Sequence, residues 1–440
     1  MRPKIRQLFG ALFAKRSPIE RFLLGSWLLI LALLPFHAFV STWGGAALGP
    51  LEVWKSWKEI LLLVCLGVSA VYLYRQGRLK AFVSDKLVWL IFGYAGLHLL
   101  LWLIFRPERD AAMAGLLINL RFLGMFLLSL VVLTFVRPRQ LWQAALIVVV
   151  AGGTTVLTFA ALQLTLLPAD FLRHFGYGAH TIAPVTTLDD NHAIIRLQST
   201  LRGPNPLGQY LILIAVLLLP VLRSARKQVI AFWLGMTAII LFYTYSRSAW
   251  IGVAAAVGTF AALQLTRIRK PGRLFWISGG VVAALSIVVL LALPHSSFVQ
   301  NAILHNKQGD SDAGSTVEHF NAAQRSLRHI AEHPFGQGPG SAGPASFYGA
   351  QPNIPENYFL QLTEELGVVG IALFVAINGV VVARLWRVRQ DVWAAAWLAA
   401  FVGISVVNLF LHGWADETTA MMWWALAAVL LHSTPIHTKE

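Results

Sequence analysis

The chain has 440 residues, of which 57% are hydrophobic and only 12% charged. A soluble domain carries about twice that share of charge, so this composition excludes an ordinary water-soluble fold and makes lipid the solvent for much of the surface. The formal net charge of +15 does not mark a nucleic-acid binder, because the basic residues recur in short clusters between apolar runs. The single cysteine, Cys65, lies inside an apolar run, which excludes an intramolecular disulfide and a thiolate metal cluster.

In chain order, apolar stretches bounded by charge or turn residues predict spans at about 22–41, 54–74, 87–105, 112–136, 140–167 and 206–222. Further spans are expected at about 228–244, 249–266, 274–293, 357–382, 391–411 and 418–433. Basic residues precede the first stretch, but that stretch is too long for a signal-peptide core and no small-x-small site follows it, so it reads as an uncleaved helix. Most lysines and arginines fall on one side of this layout: residues 2–21, 75–86, 137–139, 223–227, 267–273 and 384–389, together with Lys439. By the positive-inside rule both termini are cytoplasmic. The expected fold is therefore an all-α polytopic membrane protein of about twelve helices in the inner membrane. Helices 1–5 lie in 1–167, a first long outer loop in 168–205, helices 6–9 in 206–293, a second long outer loop in 294–356, and helices 10–12 in 357–440.

The second outer loop holds a capping-box spacing at Ser315 to Glu318, followed by Val317, Phe320, Leu327 and Ile330 near helical period, which predicts an amphipathic helix to Ala331. Residues 334–355 are rich in glycine and proline, consistent with a tightly turning lid, and 336–343 are expected to be mobile.

Charge at the membrane boundary is costly and defaults to function. In RLQSTLRGPNPLGQY, residues 196–210, Arg196 and Arg202 stand beside a turn feeding a helix, suited to phosphate oxygens or to interfacial anchoring. In YTYSRSAW, residues 243–250, Arg247 is pinned in a short outer turn, where it needs an anionic partner, water or a lipid headgroup. In PENYFLQLTEELGVVG, residues 355–370, Glu356, Asn357, Gln361, Glu364 and Glu365 crowd the start of a span. The helix dipole favours acids in the first turn, but explains Glu364 and Glu365 poorly; a carboxylate near the arginines suits a general base. Arg121 sits deep in a span and pairs internally or meets substrate, and Lys58 and Glu59 pair with each other or with helix ends. Asp189, Asp190 and His192 suggest a cation site or a solvated loop. His295, His305, His319, His329 and His333 lack metal-ligand spacing, so no metal and no cofactor is expected.

Taken in order, these motifs resemble the O-antigen ligase and O-antigen polymerase superfamily of envelope glycosyltransferases. The resemblance rests on Arg196 followed by Pro204-Asn205, then Ser246-Arg247, then Arg325 with HPFGQGPG at 333–340, then Asn357 to Leu360 with Glu365, Gly367 and Gly370. It covers roughly residues 190–380. Ligases of this family carry a histidine before the asparagine; Glu356 stands there in this chain, which looks more like polymerase members. The resemblance implies a glycan donor on undecaprenyl diphosphate and a glycan or lipid A-core acceptor, with membrane lipids as the surroundings and no nucleic acid. It implies diphosphate binding by Arg196 and Arg247, a catalytic Glu356, and substrate contacts from Arg202, Asn205, Arg325 and Asn357. These residues would frame a shallow outer pocket. A transporter or flippase of lipid-linked glycans is the competing expectation; it would line a path with charge through the membrane's depth, whereas the polar residues here concentrate on one side.

Overall fold

The computed structural model describes residues 2–188, 191–223, 226–265 and 314–432. The expected ninth span at 274–293, the loop at 294–313, the Asp189-Asp190 pair and the side chains of the 315–318 capping box lie outside the described residues. The α-helices longer than five residues are α1 (Arg2–Phe13), α2 (Pro18–Leu33), α3 (His37–Leu48), α4 (Leu51–Arg75), α5 (Lys86–Phe105), α6 (Arg109–Val132), α7 (Pro138–Thr165) and α8 (Pro204–Leu218). They continue with α9 (Lys227–Tyr243), α10 (Arg247–Leu265), α11 (Gly314–Glu332), α12 (Tyr358–Arg387), α13 (Val392–Val407) and α14 (Glu417–Leu431). Eight helical segments among the described residues are long and apolar enough to cross a membrane, with α2 and α3 counted as one, and α9, α13 and α14 are shorter apolar helices. A two-stranded antiparallel hairpin, β1 (Thr186–Leu188) and β2 (Asn191–Arg196), is the only sheet found there.

Helix starts follow local chemistry. Ser17 and Glu20 form a capping box around Pro18, and Asp85, Asp391 and Asp416 each accept an amide at the N-cap of α5, α13 and α14. Asp85 also takes both guanidinium nitrogens of Arg384, at 2.8 and 2.6 Å, which ties the start of α5 to the end of α12. Helix α14 is apolar on every face, and each residue from Glu417 to Leu430 is buried, so it is the central helix of the bundle. Indole groups lock it in place: Trp397 Nε1 donates to Trp423 O (2.8 Å) and Trp423 Nε1 to Trp397 O (3.1 Å).

Three interruptions shape one end of this bundle. Pro35 breaks the first apolar segment into α2 and α3. The exposed carbonyls are taken up from elsewhere: Thr200 donates to Pro35 O and Thr418 to Leu34 O, at 2.8 and 2.9 Å. Helix α12 breaks at Gly367, whose φ of 66° lies in the left-handed region. Its loose carbonyls accept from Gln337 and Gly338, and Val368 N–H donates to Pro334 O, all at 2.9 Å. The third is the turn at 408–416. Helix α14 is only 15 residues long, about 22 Å by helical rise against a hydrocarbon core of ~30 Å, so the turn that feeds it enters the bundle.

The glycine-rich stretch is closely packed: Gly336, Gly338, Gly340 and Gly343 all have positive φ and are buried. A Cβ on Gly340 would strike the carbonyl oxygen of Ala111, and one on Gly343 the Gln361 amide. These glycines let backbone approach backbone at the broken helix. Gly340→Ala is expected to destabilise the protein by about 2–5 kcal/mol, combining left-handed strain with overpacking. Gly258→Ala, on α10 with open space around it, is expected to be neutral or slightly stabilising. Thermal midpoints of both variants in detergent test this, and equal midpoints would refute it.

Candidate functional site at the loop-rich end of the bundle

The turn at 408–416 organises the site. Asn408 is buried, with its side chain accepting from Trp414 N–H (2.9 Å) and donating to Ile404 O (2.7 Å). Two hydrogen bonds stitch the start of α12 onto this turn: Tyr358 N–H to Asn408 O (3.0 Å) and Asn357 Nδ2 to Leu409 O (3.1 Å). Asn357 also caps α12, its Oδ1 accepting from Phe359 and Leu360. Glu356 precedes it with a φ of 54°, a left-handed conformation that costs a side-chain-bearing residue about 1–2 kcal/mol. Strain of that kind is held where the surroundings over-determine it.

His412 lies on the same turn, and neither ring nitrogen has a hydrogen-bond partner among the described residues. Burial pushes its pKa down to about 4, opposed by the negative charge of Glu356. A carboxylate and a neutral imidazole thus sit within electrostatic reach of one another.

The arginines approach from the neighbouring elements. Arg196, at the end of β2, donates from Nε to Thr244 O (2.9 Å) and from Nη2 to Asn205 Oδ1 (2.7 Å), which joins the first long loop, the start of α8 and the α9–α10 turn. The motif residues Arg196 and Asn205 are therefore in direct contact. Arg247 opens α10, and no hydrogen bond or ion pair engages its guanidinium among the described residues. A Cβ on Gly252 would meet Val407 and the Gly403 carbonyl, so α10 and α13 are in close contact there. Five residues earlier along α10, about 7.5 Å, Arg247 is level with the 408–412 segment. Arg202 is exposed, and its charge acts on Glu417. Arg196 thus bonds the α9–α10 turn that leads into Arg247, while Glu356 adjoins the 408–416 turn through Asn357 and Tyr358.

Beneath the turn is a buried charge network. Arg121 bonds Glu59 (2.9 Å), Glu417 (2.8 Å) and the carbonyl of Ala415 (2.5 Å). Lys58 pairs with Glu59 (2.9 Å) and touches His37 Nε2 (2.9 Å), and His37 reaches Glu417 (3.5 Å). Arg121 pairs internally, and Lys58 with Glu59, as two of the open alternatives had it. Charges this deep persist only when matched, and here they fix the turn from below.

Glu364 and Glu365 are buried anchors of the glycine-rich stretch. Glu365 accepts from Asn119 (2.5 Å) and Gly340 N–H (3.1 Å). Glu364 accepts from His329 (3.1 Å) and from the Asn353 amide. Above Glu364, between α11 and residues 351–353, lies a cavity of about 500 Å³. Arg325 is on its wall, but Arg196, Arg247 and Glu356 are not, so the expected contacts divide between two places.

Sequence reading passed over His412, Asp416 and Glu417. Three titratable groups in HGWADE, between two apolar runs, were the available signal. Among the described residues no group of three or more His, Cys, Asp or Glu is arranged to hold a metal ion.

The fold is that of a multi-pass helical membrane protein. Residues 229–375 match the sequence family described as O-Antigen ligase. The chain is also 23% identical over 312 residues to the O-antigen polymerase of Salmonella muenchen, covering 67% of this chain and 75% of that one. Both similarities support the O-antigen ligase and polymerase superfamily, the family read from the motifs.

Proposed function

We propose that this protein transfers a glycan from undecaprenyl diphosphate to an acceptor hydroxyl on the outer face of the cytoplasmic membrane, with both termini inside. The observation that supports this reading is that Arg196 bonds the α9–α10 turn leading into Arg247, while α10 packs on α13, whose C-terminal turn adjoins Glu356. Arg196 and Arg247 bind the diphosphate and offset the charge that grows on it as it departs. Glu356 accepts the acceptor's proton. The acceptor oxygen bonds to the anomeric carbon while the carbon–oxygen bond to the diphosphate breaks, its electron pair leaving with the undecaprenyl diphosphate. Attack opposite the leaving group inverts the anomeric centre.

Polymerase-type transfer, with a lipid-linked glycan as acceptor, fits Glu356 and the similarity to the Salmonella muenchen polymerase. Purified protein given its lipid-linked glycan then makes a ladder of longer lipid-linked products, whereas single transfer to a lipid A core would assign a ligase. Arg247 is the sharper probe of the donor site, because Arg196 also braces the fold. Arg247→Ala is expected to weaken donor binding about tenfold to a hundredfold, the value of a charge-assisted contact. Unchanged donor affinity would remove Arg247 from the site.

A further inference from the structure

The cavity between α11 and residues 351–353 takes no part in the transfer step, yet it is a built site. His329 and Asn353 both donate to Glu364, whose side chain is 1% exposed, and Gln337 bonds the other nitrogen of His329 (3.1 Å). The second carboxylate oxygen of Glu364 is buried with no hydrogen-bond partner among the described residues. A buried acceptor of this kind costs about 1–3 kcal/mol until something donates to it.

The lining distinguishes between ligand chemistries. Arg325 and Arg328 are balanced by Glu332 and Glu364, so the wall lacks the excess of cations that a diphosphate requires. It also lacks the apolar lining that a lipid chain requires. The amides of Gln337, Gln351 and Asn353 and the hydroxyls of Ser326 and Ser341 present donors and acceptors side by side. That suits sugar hydroxyls, each of which both donates and accepts. The volume of about 500 Å³ lies within the ~300–1,000 Å³ of small-ligand pockets. Asn353 on the wall is three positions before Glu356, a reach of at most about 10 Å.

We infer that this cavity is a saccharide subsite that holds non-reacting sugar units of the acceptor glycan while its terminal hydroxyl faces Glu356. The acceptor assignment rests on the function proposed above; saccharide binding does not. The donor's diphosphate is assigned to Arg196 and Arg247, neither of which lines the cavity, and this leaves the cavity to the second substrate.

The probe is the repeat-unit oligosaccharide released by mild acid from the host's own lipid-linked glycan, carrying neither lipid nor diphosphate. Binding is followed by saturation-transfer NMR on the full-length protein in detergent. Wild type is expected to bind it, Gln351→Trp and Arg328→Ala to weaken it at least fivefold, and both to raise the acceptor KM more than they lower kcat. Both side chains are exposed, so folding is retained, and a thermal midpoint checks this. Absence of binding to wild type, unaltered binding in both variants, or competition by inorganic diphosphate would each overturn the inference. Glu356→Gln separates the two readings. Oligosaccharide binding by that variant is expected to survive, so full transferase activity in it would sink the general base and leave the subsite standing.

Discussion

Glu356→Gln is expected to lower glycan transfer at least a hundredfold while donor binding stays within twofold of wild type. General-base catalysis contributes about 10²–10⁴ to rate, and this substitution removes the base while keeping shape and hydrogen-bonding capacity. The local geometry makes the comparison clean. Glu356 is held with φ of 54° next to Asn357, which is fixed by its cap of α12 and its bond to Leu409 O. The amide therefore occupies the place of the carboxylate. The neighbouring imidazole of His412, with its pKa pushed down to about 4 by burial, is neutral at pH 7 and offers no cation to mask the loss. Initial rates with purified lipid-linked donor measure the effect, and a variant as fast as wild type removes Glu356 from the chemistry.

The second large effect is on stability. Arg121→Ala is expected to cost about 3–5 kcal/mol, because it strands Glu417 in the bundle without its arginine and leaves Glu59 with Lys58 alone. It also deprives the Ala415 carbonyl of its donor. Breaking a buried pair costs more than replacing it whole, so Arg121→Met combined with Glu417→Gln is expected to recover part of the loss. Thermal midpoints of the single and double variants, read as monodisperse protein in detergent, give the coupling. A single variant that melts with wild type would show that the network does not hold the 408–416 turn.

Much of the site was legible as residues and little of it as arrangement. Arg196 with Asn205, and Arg247 in a short turn, stand out in sequence because charge beside an apolar run is costly and their spacing is local. Glu364 and Glu365 stood out for the same reason, but their use as anchors for 334–343 depends on the break at Gly367. That break in turn requires glycines that no hydropathy pattern reports. The glycines of 336–343 serve close packing, a use that composition does not distinguish from conformational freedom.

The sequence by itself determined that the chain is helical and lives in lipid, about where its helices run, and which cations and carboxylates border them. These follow from hydropathy and from charge at segment ends, which are properties of neighbouring residues. Only the tertiary structure decided that Arg121 meets Glu59 and Glu417, 62 and 296 positions away, and that a turn near the C-terminus joins Glu356 to His412. It also separated the cavity beside Arg325 from the arginine cluster. Partners that far apart in the chain are selected by how helices pack and where they break, and a one-dimensional pattern of polarity does not record that.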